Sequence, residues 1–348
     1  MRPEPDPDRP FPFVSVVIPT LNAARTLGEC LASIREQDYP RDRLELVVAD
    51  AGSTDGTLDI AAKYEVDTIA ENPLKTGEAG KSAGIEQARG EIIALIDSDN
   101  ILPDSSWLRS MTAPFQDPEI VGSEPLEYTR RDKDPALTRY FAMLGMNDPV
   151  CLFLGNYDRY SAVTGRWTGL QVDEDDRGDY IKVALSLAAL PTIGANGFMI
   201  RRSILESVNW SPYFFDIDVI AEAINAGHRH VAKVKTGIVH LYCSTLRDFA
   251  RKQDRRVCDF LHFSRERERS YPWQQQSRGG ILMFCAYTVL VIPLLIQMIR
   301  GASRRRDWAW LYHVPACWIT LGVYGWNAIA KTIGMQRGPK SREGWTQA

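Results

Sequence analysis

Glu91-Ile92-Ile93-Ala94-Leu95-Ile96-Asp97-Ser98-Asp99-Asn100 is the stretch whose reading decides the fold. Its unbroken apolar run predicts a strand buried on both faces, because a strand with one wet face would alternate apolar and polar residues. The run ends in two carboxylates one residue apart, which would point to opposite faces if the strand continued. They converge only if the strand stops, and Pro103 close behind favours a turn there. A turn could aim both carboxylates at one hard cation such as Mg²⁺ or Mn²⁺. Taken alone, Asp-x-Asp is a weak signal, since short acidic loops are usually solvated turns.

Upstream, strand and helix patterns alternate. Phe13 to Ile18 is a β-branched run ended by Pro19, and Leu27, Leu31 and Ile34 follow at helical spacing. Leu44–Ala49 predicts the next strand, Thr57–Lys63 a helix, Val66–Ala70 a short strand and Ser82–Ala88 a helix. Continuous strands separated by helices imply an α/β, doubly wound, mostly parallel sheet covered on both faces. Ligands of such sheets bind beyond the carboxyl ends of the strands. Thr20 and Asn22, Asp50, Lys75 and Lys81, and Asp97 with Asp99 follow the four strands in turn, so one crevice could collect them.

Two nucleotide-binding readings fail on spacing. No G-x-G-x-x-G follows the first strand. Gly80-Lys81-Ser82 suggests a phosphate loop, but Lys75 stands where that motif requires its first glycine.

The 348 residues carry 41 Lys+Arg against 44 Asp+Glu, a net charge of −3, which excludes a basic nucleic-acid binder and an acidic disordered chain. A hydrophobic fraction of 45% suffices for the cores of about two domains. The six cysteines are scattered without a zinc-like spacing and read as reduced thiols. Residues 1–12 hold five prolines and no apolar core segment, so a disordered leader is expected there and not a signal peptide.

Val16-Val17-Ile18-Pro19-Thr20-Leu21-Asn22, then Val47-Val48-Ala49-Asp50-Ala51-Gly52-Ser53-Thr54-Asp55-Gly56-Thr57, then Ala88-Arg89-Gly90-Glu91 running into Asp97-Ser98-Asp99, together resemble the successive motifs of the family 2 glycosyltransferases, whose fold is GT-A. The resemblance covers roughly residues 13 to 245. It implies a nucleotide-diphosphate sugar donor, with Pro19, Thr20, Asn22, Asp50, Gly52 and Ser53 around base and ribose and Asp50 accepting from the base. It implies that Lys81, Asp97 and Ser98 also serve the donor, and that Asp97, Asp99 and the late His240 hold a divalent metal. Ala51 departs from the acidic residue usual beside Asp50, and Ser82 sits where asparagine is common. Phe215-Asp216-Ile217-Asp218 occupies the place of the family's Glu-Asp motif, so Asp216 matches the catalytic aspartate, with Asp218 as a second candidate and Phe215 replacing the glutamate. Gly194-Ala195-Asn196-Gly197 and the pair Arg201-Arg202 resemble the acceptor side. Gln253-Asp254-Arg255-Arg256 loosely matches the Q-x-x-R-W of processive synthases, but Val257 replaces the tryptophan, which implies a non-processive enzyme.

From residue 251 the chain reads as a basic linker and two apolar segments, 281–299 and 308–330, the second with four of the nine tryptophans. The first would be about 28 Å long as a helix. Membrane association and a pair of buried core helices both fit. The flanks are basic on all sides: Arg265, Arg267, Arg269 and Arg278; then Arg300, Arg304, Arg305 and Arg306; then Lys331, Arg337, Lys340 and Arg342. All three therefore favour the cytoplasmic side, and Pro293 and Pro315 allow kinks, so in-plane or half-crossing docking is expected over a spanning hairpin. The aromatic-rich stretch Tyr140–Leu170 either guides an acyl or isoprenoid chain or belongs to the core.

The expected protein is thus a membrane-associated inverting glycosyltransferase with a cytoplasmic catalytic domain (13–250). It moves one sugar to a lipid or lipid-linked acceptor, with Asp216 as base. A soluble glycan acceptor, or a tethered nucleotide-sugar-binding protein without transfer activity, is the alternative.

Overall fold

A computed structural model of the chain describes residues 11–266, 269–272, 277–333 and 335. Residues 1–10 of the leader expected over 1–12, and Arg267, Arg337, Lys340 and Arg342, lie outside the described residues, as does the side chain of Arg265.

The alternation read from the sequence is present. It runs β1 (Val14–Thr20), α1 (Ala24–Arg35), β2 (Leu44–Asp50), α2 (Thr57–Lys63), β3 (Thr68–Glu71), α3 (Gly77–Gln87) and β4 (Ile92–Leu95). These four strands are parallel in the order β3-β2-β1-β4, with Val14 opposite both Leu44 and Ile92. Both faces are covered, as the continuous apolar runs require. Val16 and Ile18 pack with Leu27, Leu31 and Ile34 of α1, whereas Val17 packs into a second core with Ile85 of α3.

Helix α3 begins at Gly77 and not near Ser82, because the Thr76 hydroxyl caps it by accepting from the Ala79 amide at 3.1 Å. Its glycines let it lie close on β1: a Cβ at Gly84 would sit 2.4 Å from Val17 Cγ1, and one at Gly80 would sit 2.8 Å from Pro19 Cβ. The glycine that suggests a phosphate loop is therefore a packing glycine. The turn before β4 is likewise a structural device. The Gly90 amide donates to Ser15 Oγ at 2.7 Å, and the Arg89 amide to Glu45 Oε2 at 2.8 Å.

The chain continues through β5 (Asn100–Ile101), α4 (Trp107–Thr112), β6 (Ile120–Tyr128), α5 (Ala136–Leu144), α6 (Val150–Leu154), β7 (Asp173–Asp176), β8 (Tyr180–Ala184), β9 (Phe198–Arg201), α7 (Arg202–Leu205), α8 (Asp216–Asn225) and β10 (His230–His240). The sheet extends as β4-β9-β6-β10-β8-β7. Strand β9 runs antiparallel to β4 and β6, β10 runs parallel to β6, and β7 and β8 form an antiparallel edge. The result is a mixed α/β sheet of the GT-A kind, parallel in its first half.

Four helices follow: α9 (Leu246–Glu266), α10 (Arg278–Leu290), α11 (Ile292–Arg304) and α12 (His313–Thr332). The domain boundary expected at 250 falls inside α9. The apolar run 281–299 is two helices bent by 96° at Val291, and no single described helix is long and apolar enough to cross a membrane. Pro293 explains the break, since its ring blocks a helix entering from residue 289 but is tolerated near the start of a new one. Pro315 lies in the first turn of α12 and kinks nothing.

The stretch Tyr140–Leu170 is largely core. Tyr140, Phe141, Leu144 and Tyr157 are buried with Trp310, and Phe153 meets Phe284 edge-on at 5.3 Å. It forms the bed on which the C-terminal helices lie.

Candidate active site

Strand β4 stops at Leu95, and the turn after it is closed by two hydrogen bonds. The Asp97 amide donates to Asn100 Oδ1 at 3.0 Å, and the Asn100 amide to the Asp97 carbonyl at 2.8 Å. Strand β5 then pairs antiparallel with the end of β10, setting Asn100 opposite His240, and the Leu241 amide donates to the Asp99 carbonyl at 2.9 Å. Asp99 Oδ1 consequently lies 3.6 Å from His240 Nε2. Burial would raise the Asp99 carboxyl, but His240 and Lys252 beside it outweigh burial and hold it down at about 2. The strand end that the sequence predicts thus delivers an ionised carboxylate to an imidazole 141 residues away, counting from Asp99 to His240.

On the facing wall, Asp216 is the first residue of α8, and Lys81 Nζ lies 2.8 Å from both of its carboxylate oxygens. Burial pushes the Asp216 carboxyl up to about 6 although Lys81 pulls it down, with Asp97 adding to the rise. Burial also opposes the Lys81 charge, but Asp216 and Asp97 keep the ammonium protonated well above its ordinary range. Asp216 is therefore ionised at neutral pH yet able to accept a proton.

These groups share one cavity of about 330 Å³ at the crossover between β1 and β4, the position expected for ligands of such sheets. Of the residues singled out from the sequence, Pro19, Lys81, Asp97, Ser98, Asp99, Asn196, Asp216 and His240 line it. A second, open cleft of about 420 Å³ lies past the ends of β2 and β3, walled by Asp50, Gly52, Leu58, Ile69 and Asn72. Here the Asp50 carboxylate receives the Thr20 hydroxyl (2.9 Å), the Ser53 hydroxyl (2.6 Å) and the amides of Gly52 and Ser53 (2.9 and 2.8 Å). Those four bonds occupy the capacity of a carboxylate. Asp50 is thus first an organiser of its loop. Asn22 closes the same loop, its amide donating to Ser53 Oγ and its side-chain oxygen accepting from the Thr54 amide.

Three expected acceptor-side residues lie elsewhere. Arg201 donates to the carbonyls of Phe115, Asp117 and Ile120, and Arg202 to that of Gly90, so this pair ties down backbone behind the sheet. Asp218 is buried, paired with Arg269 and accepting from the Tyr271 amide at 2.9 Å. It lies two residues along α8 from Asp216, about half a turn, and so faces away from the cavity.

Two groups are not assigned to the site from the sequence. Arg251, Lys252, Arg255 and Arg256 line the cavity from α9; Arg255 and Arg256 enter the sequence reading only through the loose synthase motif, and the i, i+1, i+4, i+5 spacing of the four on a helix was the available signal. Behind the loop 194–197 lies a sealed charge cluster that no local pattern announces. Arg159, wholly buried, donates to Glu124 Oε2 and Asp158 Oδ2 (both 2.6 Å) and to the carbonyls of Ala195 (2.8 Å) and Asn196 (3.1 Å). Lys233 Nζ reaches Glu124 Oε2 at 2.7 Å, and Glu124 Oε1 accepts from the Gly194 amide at 2.9 Å. Gly194, at φ +126°, leaves no room for a side chain, since a Cβ there would lie 2.9 Å from Asp216 Cβ. The cluster thereby fixes the loop against which Asp216 sits.

The donor set suits a divalent cation: a carboxylate held ionised, an imidazole at its side and a second carboxylate in the same cavity. Among the described residues no three His, Cys, Asp or Glu side chains are gathered closely enough to hold an ion unaided. Substrate oxygens would have to complete such a site.

Residues 15–208 match the family model described as Glycosyl transferase family 2. Glycosyltransferase AglE of Haloferax volcanii is 32% identical over 143 residues, 39% of this chain and 46% of that protein. A Methanococcus voltae enzyme named dolichyl N-acetyl-alpha-D-glucosaminyl phosphate 3-beta-D-2,3-diacetamido-2,3-dideoxy-beta-D-glucuronosyltransferase is 28% identical over 121 residues, 32% of this chain and 37% of that one. The matched stretches thus span less than half the length of these relatives. Mannosyltransferase PcManGT from Pyrobaculum calidifontis, solved with GDP-Man and Mn²⁺, shares the fold at a TM-score of 0.54 and 19% identity, over 94% of this chain and 90% of that one.

Proposed function

The chain belongs to glycosyl transferase family 2, and from that premise we propose that it transfers one sugar, with inversion, from a nucleotide-diphosphate donor to a lipid or lipid-linked acceptor at the cytoplasmic face of a membrane. The observation that carries the reading is the single cavity in which Asp99 and His240 face Asp216. A single displacement needs one base and no enzyme nucleophile, and Asp216 is the group placed for it.

Asp97, Asp99 and His240, completed by substrate oxygens, would hold a divalent ion, Mg²⁺ or Mn²⁺, which when bound would supply charge neutralisation for the departing diphosphate. The open cleft beside Asp50, with Leu58 and Ile69 as apolar walls, is the place for the base. Lys81 and the arginines of α9 present cations to phosphate oxygens. Asp216 accepts the proton of an attacking hydroxyl at a carboxylate oxygen. Its ionised state at neutral pH, secured by Lys81, is what this requires. Asn196 and the fixed loop around it face the same space and orient the acceptor. The lipid character of that acceptor is supported by the name of the Methanococcus voltae relative and by the apolar helix α12, which packs on α9.

A second reading, nucleotide-sugar binding without transfer, draws on one observation: Lys81 engages both oxygens of Asp216. Turnover separates the two. The purified full chain, incubated with a panel of nucleotide sugars, lipid extract and Mn²⁺, should release nucleoside diphosphate and yield a glycosylated lipid detectable by mass spectrometry. Donor binding without product from any acceptor, lipid or glycan, would leave the binding reading standing.

A further inference from the structure

Among the described residues, every exposed large apolar side chain except Leu58, Ile69 and Leu74 lies at or beyond Ile281. They form one-sided stripes. On α11 they are Ile292, Leu295, Ile296 and Ile299, and on α12 Trp318, Trp326 and Ile329, followed by Ile333, each at three-, four- or eight-residue spacing. The opposite faces are spent on the protein. Leu294 is buried, Gln253 of α9 donates to Thr320 at 3.3 Å, and Asn327 donates to Asp254 at 2.9 Å. The stripes are therefore outward faces of a fixed platform, and not loose ends of a core.

The vertex of the α10–α11 bend is the most apolar point of this platform. Val289, Leu290 and Ile292 are each more than 60% exposed on either side of Val291. Charge carried by these helices themselves has almost one sign. From Arg278 to Ile333 the sole acidic residue is Asp307, and its side chain is buried against Arg130 and Arg139, whereas Arg278, Arg300, Arg306 and Lys331 are exposed. Exposed Trp308, Trp318 and Trp326 lie among these cations. Apolar vertex, tryptophans and unopposed cations are what an anionic lipid surface matches; a protein partner would call for acidic groups in a fixed pattern.

We infer that this platform docks the enzyme on one leaflet of an anionic bilayer, with the α10–α11 vertex inserted into the acyl region and Arg300 and Arg306 on lipid phosphates, and that it does not span the membrane. The inference deepens the lipid-acceptor reading and rests on it for its purpose. Helix α9 carries the cavity arginines on one side and α12 on the other. A bilayer under α12 is therefore about two helix diameters, roughly 20 Å, from the cavity.

The test is flotation of the full chain with vesicles of phosphatidylcholine, with and without phosphatidylglycerol, in the absence of any substrate. The chain should float with the anionic vesicles and be released in part by salt. Leu290→Asp with Ile292→Asp, both at exposed positions, should abolish flotation and leave the unfolding midpoint unchanged. Arg300→Ser with Arg306→Ser should weaken binding to the anionic vesicles by roughly fivefold per arginine and leave neutral vesicles unaffected. Flotation that survives the vertex variant overturns the proposal. So does a chain that ignores vesicles and self-associates through the same residues. Spanning is read separately with Ser303→Cys in a background lacking the native cysteines: labelling by an impermeant reagent on intact cells overturns the single-leaflet geometry, and labelling only after lysis supports it. If the chain floats but makes no glycosylated lipid, the transferase reading fails and the docking stands.

Discussion

Two sets of charges flank the loop 194–197. Lys81, Asp97, Asp99, Asp216 and His240 face the cavity; Glu124, Asp158, Arg159 and Lys233 lie sealed behind the loop, with Glu124, Arg159 and Lys233 wholly buried. The residue types are nearly the same, yet the uses differ. In the sealed set the carboxylates and carbonyls are bound by protein donors, so the charges fix geometry and offer nothing to a ligand. In the cavity set, each pair keeps a side toward open space. Composition does not separate a catalytic cluster from a structural one; what each oxygen already accepts does.

If that distinction holds, the cavity set should lose rate without stability. Asp99→Ala removes the carboxylate that stands beside His240, whereas the backbone pairing of Asn100 with His240 survives. Transfer should fall by about a thousandfold or more, and a chelator applied to metal-stripped enzyme should do the same, because charge neutralisation at a diphosphate leaving group supplies several kcal/mol. Circular dichroism and the unfolding midpoint should stay put. Full activity of the stripped enzyme in chelator would remove the metal from the account.

Asp216→Asn should lower kcat by about 10²- to 10⁴-fold with donor affinity near normal. Asp218→Asn should show the reverse signature, reduced stability with turnover largely kept, since Asp218 serves Arg269 and the Tyr271 amide. An inactive, well-folded Asp218 variant beside an active Asp216 variant would exchange the two assignments.

The first half of the sheet and the strand-end members of the cavity set, Lys81, Asp97 and Asp99, are legible because they follow from local rules, whereas Asp216 and His240 are legible only through the resemblance to the family 2 glycosyltransferases. Continuous apolar strands must be covered on two faces, and residues after parallel strands meet at one edge. The same rules are silent on partners distant along the chain. Nothing near Arg201 shows that it will satisfy carbonyls of residues 115–120, and nothing near Arg159 shows Glu124 or Lys233 beside it. In the C-terminal run Pro293 marks the place where a helix could break, but hydropathy does not show that Val291 takes φ +63° and turns the chain by as much as 96°.

The sealed set should behave oppositely under mutation. Arg159→Met leaves Glu124 and Asp158 short of a partner and frees two carbonyls of the loop, so it should cost about 3–5 kcal/mol in urea unfolding. Activity of the fraction still folded should fall less than in the Asp216 variant. Unchanged stability would mean that solvent reaches the cluster.

Asp307 is an intermediate case and gives the smallest, most discriminating test. It ties the C-terminal helices to the catalytic region, accepting from Arg130 Nε (2.7 Å), Arg139 Nε (2.9 Å) and Nη2 (3.1 Å), and the Ala309 amide (2.8 Å). Its side chain is 1% exposed, but that of Arg130 is 29% exposed, so the cluster is sealed on one side alone. Burial would raise the Asp307 carboxyl; the two arginines and the amide overcome it and hold it at about 2. A carboxyl near 3.9 in the unfolded chain and near 2 in the native one stabilises the fold above the unfolded value. That contribution is lost as pH falls through the window from about 4 to about 2, and it amounts to about 2.6 kcal/mol at most. Asp307→Asn should therefore lower stability by up to about 2.6 kcal/mol at neutral pH, and the gap from the unmodified protein should close as the pH drops through that window. Transfer measured with a water-dispersed acceptor should be unaffected, because Asp307 faces no part of the cavity. A gap that persists unchanged to the acid end of the window would show that the arginines hold Asp307 by shape and hydrogen bonding and not by its charge, which would move it from the intermediate class into the sealed one.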